Sequence, residues 1–95
     1  MPPRRKEAPV KLRLYIAGNA PNSVAAARNA KAICDEHYAG RYALEVVDMV
    51  TYPRRALDDG IIVTPTLLRL LPLPLRRVIG NLSDTERVLM VLADS

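Results

Sequence analysis

The side chains best able to make or break bonds here are one cysteine, one histidine and two adjacent carboxylate pairs, and their spacing argues against catalysis. Cys34 is the single cysteine, so neither an internal disulfide nor a Cys-x-x-Cys redox or metal pair can form within the chain. A lone cysteine in an apolar helix register reads as a small buried hydrophobe. His37 is the single histidine, with no second ligand or nucleophile in register to make a zinc site or a nucleophile–base pair. It reads as a helix-end residue favoured by the dipole. Neighbours in a helix point in different directions, so Asp35-Glu36 and Asp58-Asp59 read as solvated charges, not as an acid–base couple. The four glycines build no phosphate-cradling loop. No catalytic residue, metal site or cofactor is expected, and the chain reads as a non-enzyme.

Binding chemistry is better represented. Between Thr64 and Arg77, three prolines (Pro65, Pro72, Pro74) and three arginines (Arg69, Arg76, Arg77) alternate with leucines. Planar guanidinium forks suit bidentate pairing with carboxylates, so Arg69, Arg76 and Arg77 are candidate contacts for an acidic partner. Exposed strand charges that discourage edge pairing explain them equally well. The three X-Pro bonds read either as slow cis–trans switches or as rigid turns.

These residues need elements to place them. Lys11–Ala17 alternates basic and apolar side chains and then turns apolar, which predicts a strand. The turn Gly18–Ser23 follows, in which Asn19 and Pro21 mark the bend and Asn22 or Ser23 is expected to cap a helix. That helix takes an inward register of Val24, Ala27, Ala30, Cys34 and Tyr38 and ends near Gly40. Ala43–Val47 reads as a second strand, parallel to the first through the helix crossover. Pro53 opens a short helix, Arg54–Asp58, closed by Gly60. Leu67–Leu71 and Arg76–Gly80 read as antiparallel strands about Pro72-Leu73-Pro74, and Ser83-x-x-Glu86 has capping-box spacing before a last helix bearing Val88, Leu89, Val91 and Leu92.

The order β-α-β-α-β-β-α, parallel first and antiparallel after, is an α/β thioredoxin-like arrangement with a mixed sheet, and Pro65 before the third strand fits it. Enzymes of that fold place a cysteine at the turn before the first helix, where the helix dipole would lower its pKa. Here the turn reads Asn19-Ala20-Pro21-Asn22, and Cys34 lies about three helical turns further on.

Composition limits the remaining classes. Ninety-five residues bound one modest core, read as a single domain over 10–95 behind a flexible basic tail, 1–9. With neither Phe nor Trp, that core must be aliphatic with Tyr at its margins. The apolar stretch Ile61–Leu75 is broken by Pro and Arg, so no membrane span is expected, nor a leader peptide; the cytoplasm is the expected location. The net charge of +4 owes much to Arg4, Arg5 and Lys6. Without aromatic residues interleaved among the basic ones, a nucleic-acid partner is not expected.

The run Leu14-Tyr15-Ile16-Ala17-Gly18-Asn19-Ala20-Pro21-Asn22-Ser23-Val24 resembles the KaiB circadian-clock family. The likeness continues through Tyr42–Asp48, Ile62–Leu67 and Arg76–Ser83, over 10–92. It implies a clock regulator that binds the ATPase KaiC, helps sequester KaiA and promotes KaiC dephosphorylation. Family members also exchange between a thioredoxin-like monomer and a tetrameric ground-state α/β fold with a rearranged second half. By that resemblance Arg69, Arg76 and Arg77 would contribute to the partner surface, Pro65, Pro72 and Pro74 would lie in the refolding segment, and the chain would self-associate as a dimer or tetramer. Ala25 departs from the family, which commonly carries a basic residue there. A KaiB-like adaptor in a sensor-kinase or stress-response pathway outside a complete clock is the alternative implied.

Overall fold

A computed structural model describes residues 9–93. Seven elements follow in order: β1 (Val10–Ile16), α1 (Pro21–His37), β2 (Tyr42–Asp48), α2 (Pro53–Asp58), β3 (Thr66–Leu71), β4 (Arg76–Ile79) and α3 (Thr85–Ala93). The expected basic tail lies outside the described residues, apart from Pro9.

The strands form one sheet in the order β2-β1-β3-β4, with β1 parallel to β2 and antiparallel to β3, and β3 antiparallel to β4. This is the thioredoxin-like arrangement, with the second half in its helix-ended form. Alternation of side chains divides the core between the two faces. On one face Leu12, Leu14, Leu67 and Val78 pack under α1 and α3, through Ala26, Ala30, Ile33, Cys34, Val88 and Leu92. Small residues in the middle of α1 let its axis approach the sheet closely. The other face carries only α2 and its flanks, with Tyr15, Val47, Ala56, Ile61 and Leu68 as its core.

Two helix starts differ from the sequence expectation, each for a local reason. Pro21 already occupies the first turn of α1, and no side chain caps that helix. Asn22 is exposed; Ser23 is buried, and its hydroxyl accepts the Ala17 N–H at 2.9 Å, tying the helix start to the end of β1. Drawing Ser23 inward rotates Val24 out to the surface, so Ser23, Ala26, Ala30, Ile33 and Cys34 form the inner stripe. At α3, Asp84 rather than Ser83 caps: its carboxylate accepts the Arg87 N–H at 3.2 Å and its carbonyl accepts the Val88 N–H. Ser83 instead donates its N–H to the Asn81 side chain.

The chain reaches α3 through a tight corner. The Gly80 N–H donates to the Pro65 carbonyl, and Leu82, a non-glycine residue, takes φ +65°. That left-handed conformation costs on the order of 1 kcal/mol and is offset by burial of the Leu82 side chain. The Thr64–Pro65, Leu71–Pro72 and Leu73–Pro74 peptide bonds are cis.

Candidate functional site

In enzymes of this architecture the chemistry sits where β1 turns into α1. Here that turn is held by Asp48, whose carboxylate accepts the Gly18 N–H at 3.1 Å and the Val50 N–H at 2.9 Å. Asn19 and Pro21 are exposed on it and bring no nucleophile. Cys34 is buried in the middle of the core, and burial pushes its thiol up to about 11, so the thiolate is scarce at neutral pH. The carboxylate pairs point apart: Asp35 bonds Lys31 and the Tyr42 hydroxyl, Asp58 lies near Arg54, and Asp59 turns inward. Among the described residues no three His, Cys, Asp or Glu side chains gather as a metal cluster.

The three arginines singled out by sequence do not form one exposed patch. Arg69 is 1% exposed. It stands directly opposite Arg76 in the β3–β4 ladder, on the face covered by α3, whereas Arg77 pairs with Leu68 and points to the opposite face. The Arg69 guanidinium donates to the Leu92 carbonyl at 2.6 Å and to the Pro74 carbonyl at 2.7 Å, joining the end of α3 to the hairpin turn. A guanidinium has donors on both arms of its fork, so one buried cation can serve both backbone acceptors. Arg69 is therefore a structural residue; Arg76 is half-buried and Arg77 is exposed.

The sheet face under α2 holds a polar network that composition did not reveal. Parallel register sets Arg13 beside Glu45, and Arg13 Nε donates to the Glu45 carboxylate at 2.7 Å while its Nη1 reaches Asp59 at 2.9 Å. Arg55 of α2 reaches the same Glu45 oxygen at 2.8 Å. Beneath them the Tyr15 hydroxyl donates to the Asp59 carboxylate at 2.5 Å and lies 2.9 Å from the Arg55 carbonyl. Burial, then the Asp59 carboxylate, pushes the Tyr15 phenol up to about 12. Burial alone would raise the Asp59 carboxyl, but the Tyr15 hydroxyl and the Arg13 guanidinium outweigh it and hold it below the usual range. The network fastens α2 to β1 and β2.

Hydrogen bonds from Arg55 and Arg13 hold Glu45 at about 2, well below an ordinary glutamate. A carboxyl depressed in the folded state contributes stability that is fully present above its unfolded value and is lost as pH falls through the folded value. Acid unfolding should therefore show a component between the ordinary glutamate range and about pH 2. Because Glu45 is nearly half exposed, solvent limits it to a fraction of a kcal/mol. Urea midpoints measured against pH for the parent and Glu45→Gln check this; parallel curves would remove Glu45 as the cause.

Beside the exposed Arg54 and Asp58, α2 and its flanks present several apolar side chains outward. From Val50 to Val63 the chain exposes Val50, Tyr52, Leu57, Ile62 and Val63, with Leu57 73% and Ile62 94% accessible. Monomeric domains rarely leave such a group uncovered unless it binds something.

A mixed sheet of this order, with α1 and α3 on one face and α2 on the other, defines a thioredoxin-type α/β domain. A family model described as the KaiB domain matches residues 13–93, and the chain belongs to the KaiB family. It is 52% identical over 81 residues to the circadian clock oscillator protein KaiB of Synechococcus elongatus, covering 85% of this chain and 79% of that one. The KaiB of Nostoc punctiforme is 51% identical over 81 residues, covering 85% and 78%. In fold, the chain is similar to the N-terminal domain of Synechococcus elongatus SasA, with a TM-score of 0.73 at 21% identity over 100% of this chain and 93% of that one. Chloroplastic thioredoxin z gives a TM-score of 0.70 at 18% identity, over 90% and 80%.

Proposed function

We propose that this chain is a non-enzymatic circadian-clock regulator, a single KaiB-like domain over 10–95. It binds a KaiC-type ATPase in the cytoplasm, helps sequester KaiA and thereby promotes KaiC dephosphorylation. The observation that carries the reading is the uncovered apolar rim around α2, on a chain about half identical to clock oscillator proteins over most of its length. Apolar anchors of this kind, desolvated together, supply most of the free energy of a protein–protein contact, while nearby charges set orientation and encounter rate. Arg77, exposed on the α2 side of the sheet, and the half-buried Arg76 are the basic contacts assigned to partners. Pro65, Pro72 and Pro74 lie in the part of the chain that would rearrange in any exchange with a second, oligomeric fold. No helix among the described residues is long and apolar enough to cross a membrane.

The test mixes the full chain with a KaiC-type ATPase and ATP, follows complex formation by native mass spectrometry, and follows KaiC phosphorylation by gel shift. A complex and faster dephosphorylation are expected. Ile62→Asp with Leu57→Asp should weaken association by more than about tenfold without loss of folding, because both side chains are already in water. A chain that neither binds nor changes the phosphorylation state would overturn the reading.

A further inference from the structure

The sheet ends at β4, and the phase of its hydrogen bonds fixes which atoms that edge offers. In an antiparallel pair, opposed residues alternate between those that exchange backbone hydrogen bonds and those that do not. The Gly80 N–H donates to the Pro65 carbonyl at 3.0 Å, and these two residues stand opposite each other, one step beyond the Thr66–Ile79 pair. Counting back in twos, Val78 bonds Leu67 and Arg76 bonds Arg69. The N–H and C=O groups of Arg77 and Ile79 therefore point away from β3, off the edge of the sheet, and no described residue is bonded to them.

The side chains of this edge take two directions. Arg77 and Ile79 stand on the α2 face and are exposed, and Arg77 makes no ion pair among the described residues. Val78 points to the other face, where it is buried in the same cluster as Val88 of α3. There a hollow of about 150 Å³ lies between the end of β4 and the start of α3, with Val78, Leu82, Arg87 and Val88 in its lining. Charge separates the two edges of the sheet. β4 reads Arg-Arg-Val-Ile, whereas β2, at the far edge, carries Glu45 and Asp48 and no cation, so an acidic strand is favoured at β4 over β2. A second copy joined β4 to β4, in the register that sets Arg77 opposite Ile79, would place the two Arg77 side chains on one diagonal about 7–8 Å apart and bring a second α3 onto the same face. A short, charged edge strand is a common protection against such self-pairing. A bare acidic strand meets neither obstacle.

We propose that β4 is the docking edge for an extended acidic segment of a partner protein, which joins the four-stranded sheet antiparallel as a further strand. The partner residue opposite Ile79 is β-branched and the one opposite Arg77 carries a carboxylate, and each exchanges both backbone hydrogen bonds with β4. The residue between them turns an apolar side chain toward the hollow at Val78 and Val88. Main-chain hydrogen bonds give such a contact its affinity, and alternate side chains give its specificity. The edge is distinct from the α2 rim, and the proposal stands whichever partner that rim meets.

The probe is a fluorescein-labelled peptide with isoleucine, valine and glutamate in sequence between threonines, titrated into the full chain and read by anisotropy. Its binding should fall by more than about tenfold when lysine replaces the glutamate, or when the isoleucine or glutamate nitrogen is methylated, since each methyl removes a bond of the ladder. Methylating the valine nitrogen, which points away from β4, should change binding by less than about twofold. In residue-resolved hydrogen exchange with saturating peptide, the Arg77 and Ile79 amides should gain about tenfold protection, and Val78, already in the ladder, should gain less. Arg77→Glu should reverse the preference toward the lysine peptide. Circular dichroism checks that this variant folds, and the methylated peptides on the parent chain decide the matter if it does not. Several results would each overturn the proposal: no binding, equal binding of the glutamate and lysine peptides, binding indifferent to methylation, or protection appearing in Ala43–Val47 instead. Protection of Arg77 and Ile79 that rises with protein concentration and needs no peptide would also overturn it, by making a second copy the occupant.

Discussion

Replacing Arg69 with leucine should lower stability by about 3 kcal/mol and release α3 from the sheet. The estimate follows from what the substitution leaves behind. Two carbonyls, Pro74 and Leu92, lose a charged donor, and each such bond contributes about 1.5–3 kcal/mol. Part of that is recovered, because burying a guanidinium opposite Arg76 is itself unfavourable and an apolar side chain of similar reach removes the repulsion. Were the acceptors removed together with the donor, the exchange could be neutral. They are backbone atoms and remain. Arg69→Lys separates charge from geometry: a point ammonium keeps the cation but lacks the rigid fork that reaches both carbonyls, so an intermediate loss is expected. Urea unfolding gives the stability. Hydrogen exchange tells where it is lost, with protection falling first in Val88–Leu92 if Arg69 clamps α3. An Arg69→Leu protein with the parent midpoint and unchanged protection in α3 would show that the Val88 and Leu92 contacts alone hold the helix.

Arg69 also shows which parts of the fold could be read from sequence. Element order and type followed from alternation and turn chemistry, because β1, β2 and the hairpin strands carry their pattern locally. The run Leu67-Leu68-Arg69-Leu70-Leu71 carries a signal of its own. A strand with apolar residues at both parities is covered on both faces, so a charge at its centre must be buried and must have fixed acceptors. Its acceptors, at Pro74 and Leu92, are backbone atoms that no residue type announces. The helix caps differ from the sequence expectation for a related reason. Ser23 and Asp84 compete with equally suitable neighbours, Asn22 and Ser83, and the decision falls to tertiary contacts: the Ala17 N–H that turns Ser23 inward, and the Leu82 corner that delivers Asp84 to the start of α3. Of the candidate site, the absence of a thiol at the first turn was legible. The Arg13–Glu45 pairing was not, because it requires the parallel register of β1 on β2, which alternation alone leaves open. Leu57 and Ile62 had no signal of exposure, since a short helix of six residues carries too little periodicity to show which side faces water.

Tyr15→Phe should cost about 2 kcal/mol and should weaken partner binding at a rim it does not touch. The ring is fully buried, so the substitution changes no packing volume worth counting; it deletes a hydroxyl that donates to Asp59 and lies against the Arg55 carbonyl. Of the Tyr15 and Arg13 side chains that hold it in a partly buried position, Asp59 then keeps Arg13, and losing one such partner leaves about 1–3 kcal/mol of desolvation uncompensated. The consequence is directional. The α2 segment has few fastenings to the sheet: Ala56 and Ile61 in the core, Arg55 on Glu45, and Tyr15 and Arg13 on Asp59. Loosening it allows Tyr52, Leu57 and Ile62 to sample arrangements in which they no longer share one surface, and a partner must then restore the order as it binds. Association with a KaiC-type ATPase should fall by about fivefold to tenfold, chiefly through faster dissociation. A double-mutant cycle with Arg13→Gln separates the pathways: coupling above about 0.5 kcal/mol is expected, because both side chains converge on one Asp59 oxygen. If Tyr15→Phe lowers stability while leaving the dissociation rate unchanged, the rim is ordered by Ala56 and Ile61 alone and the network serves the fold only.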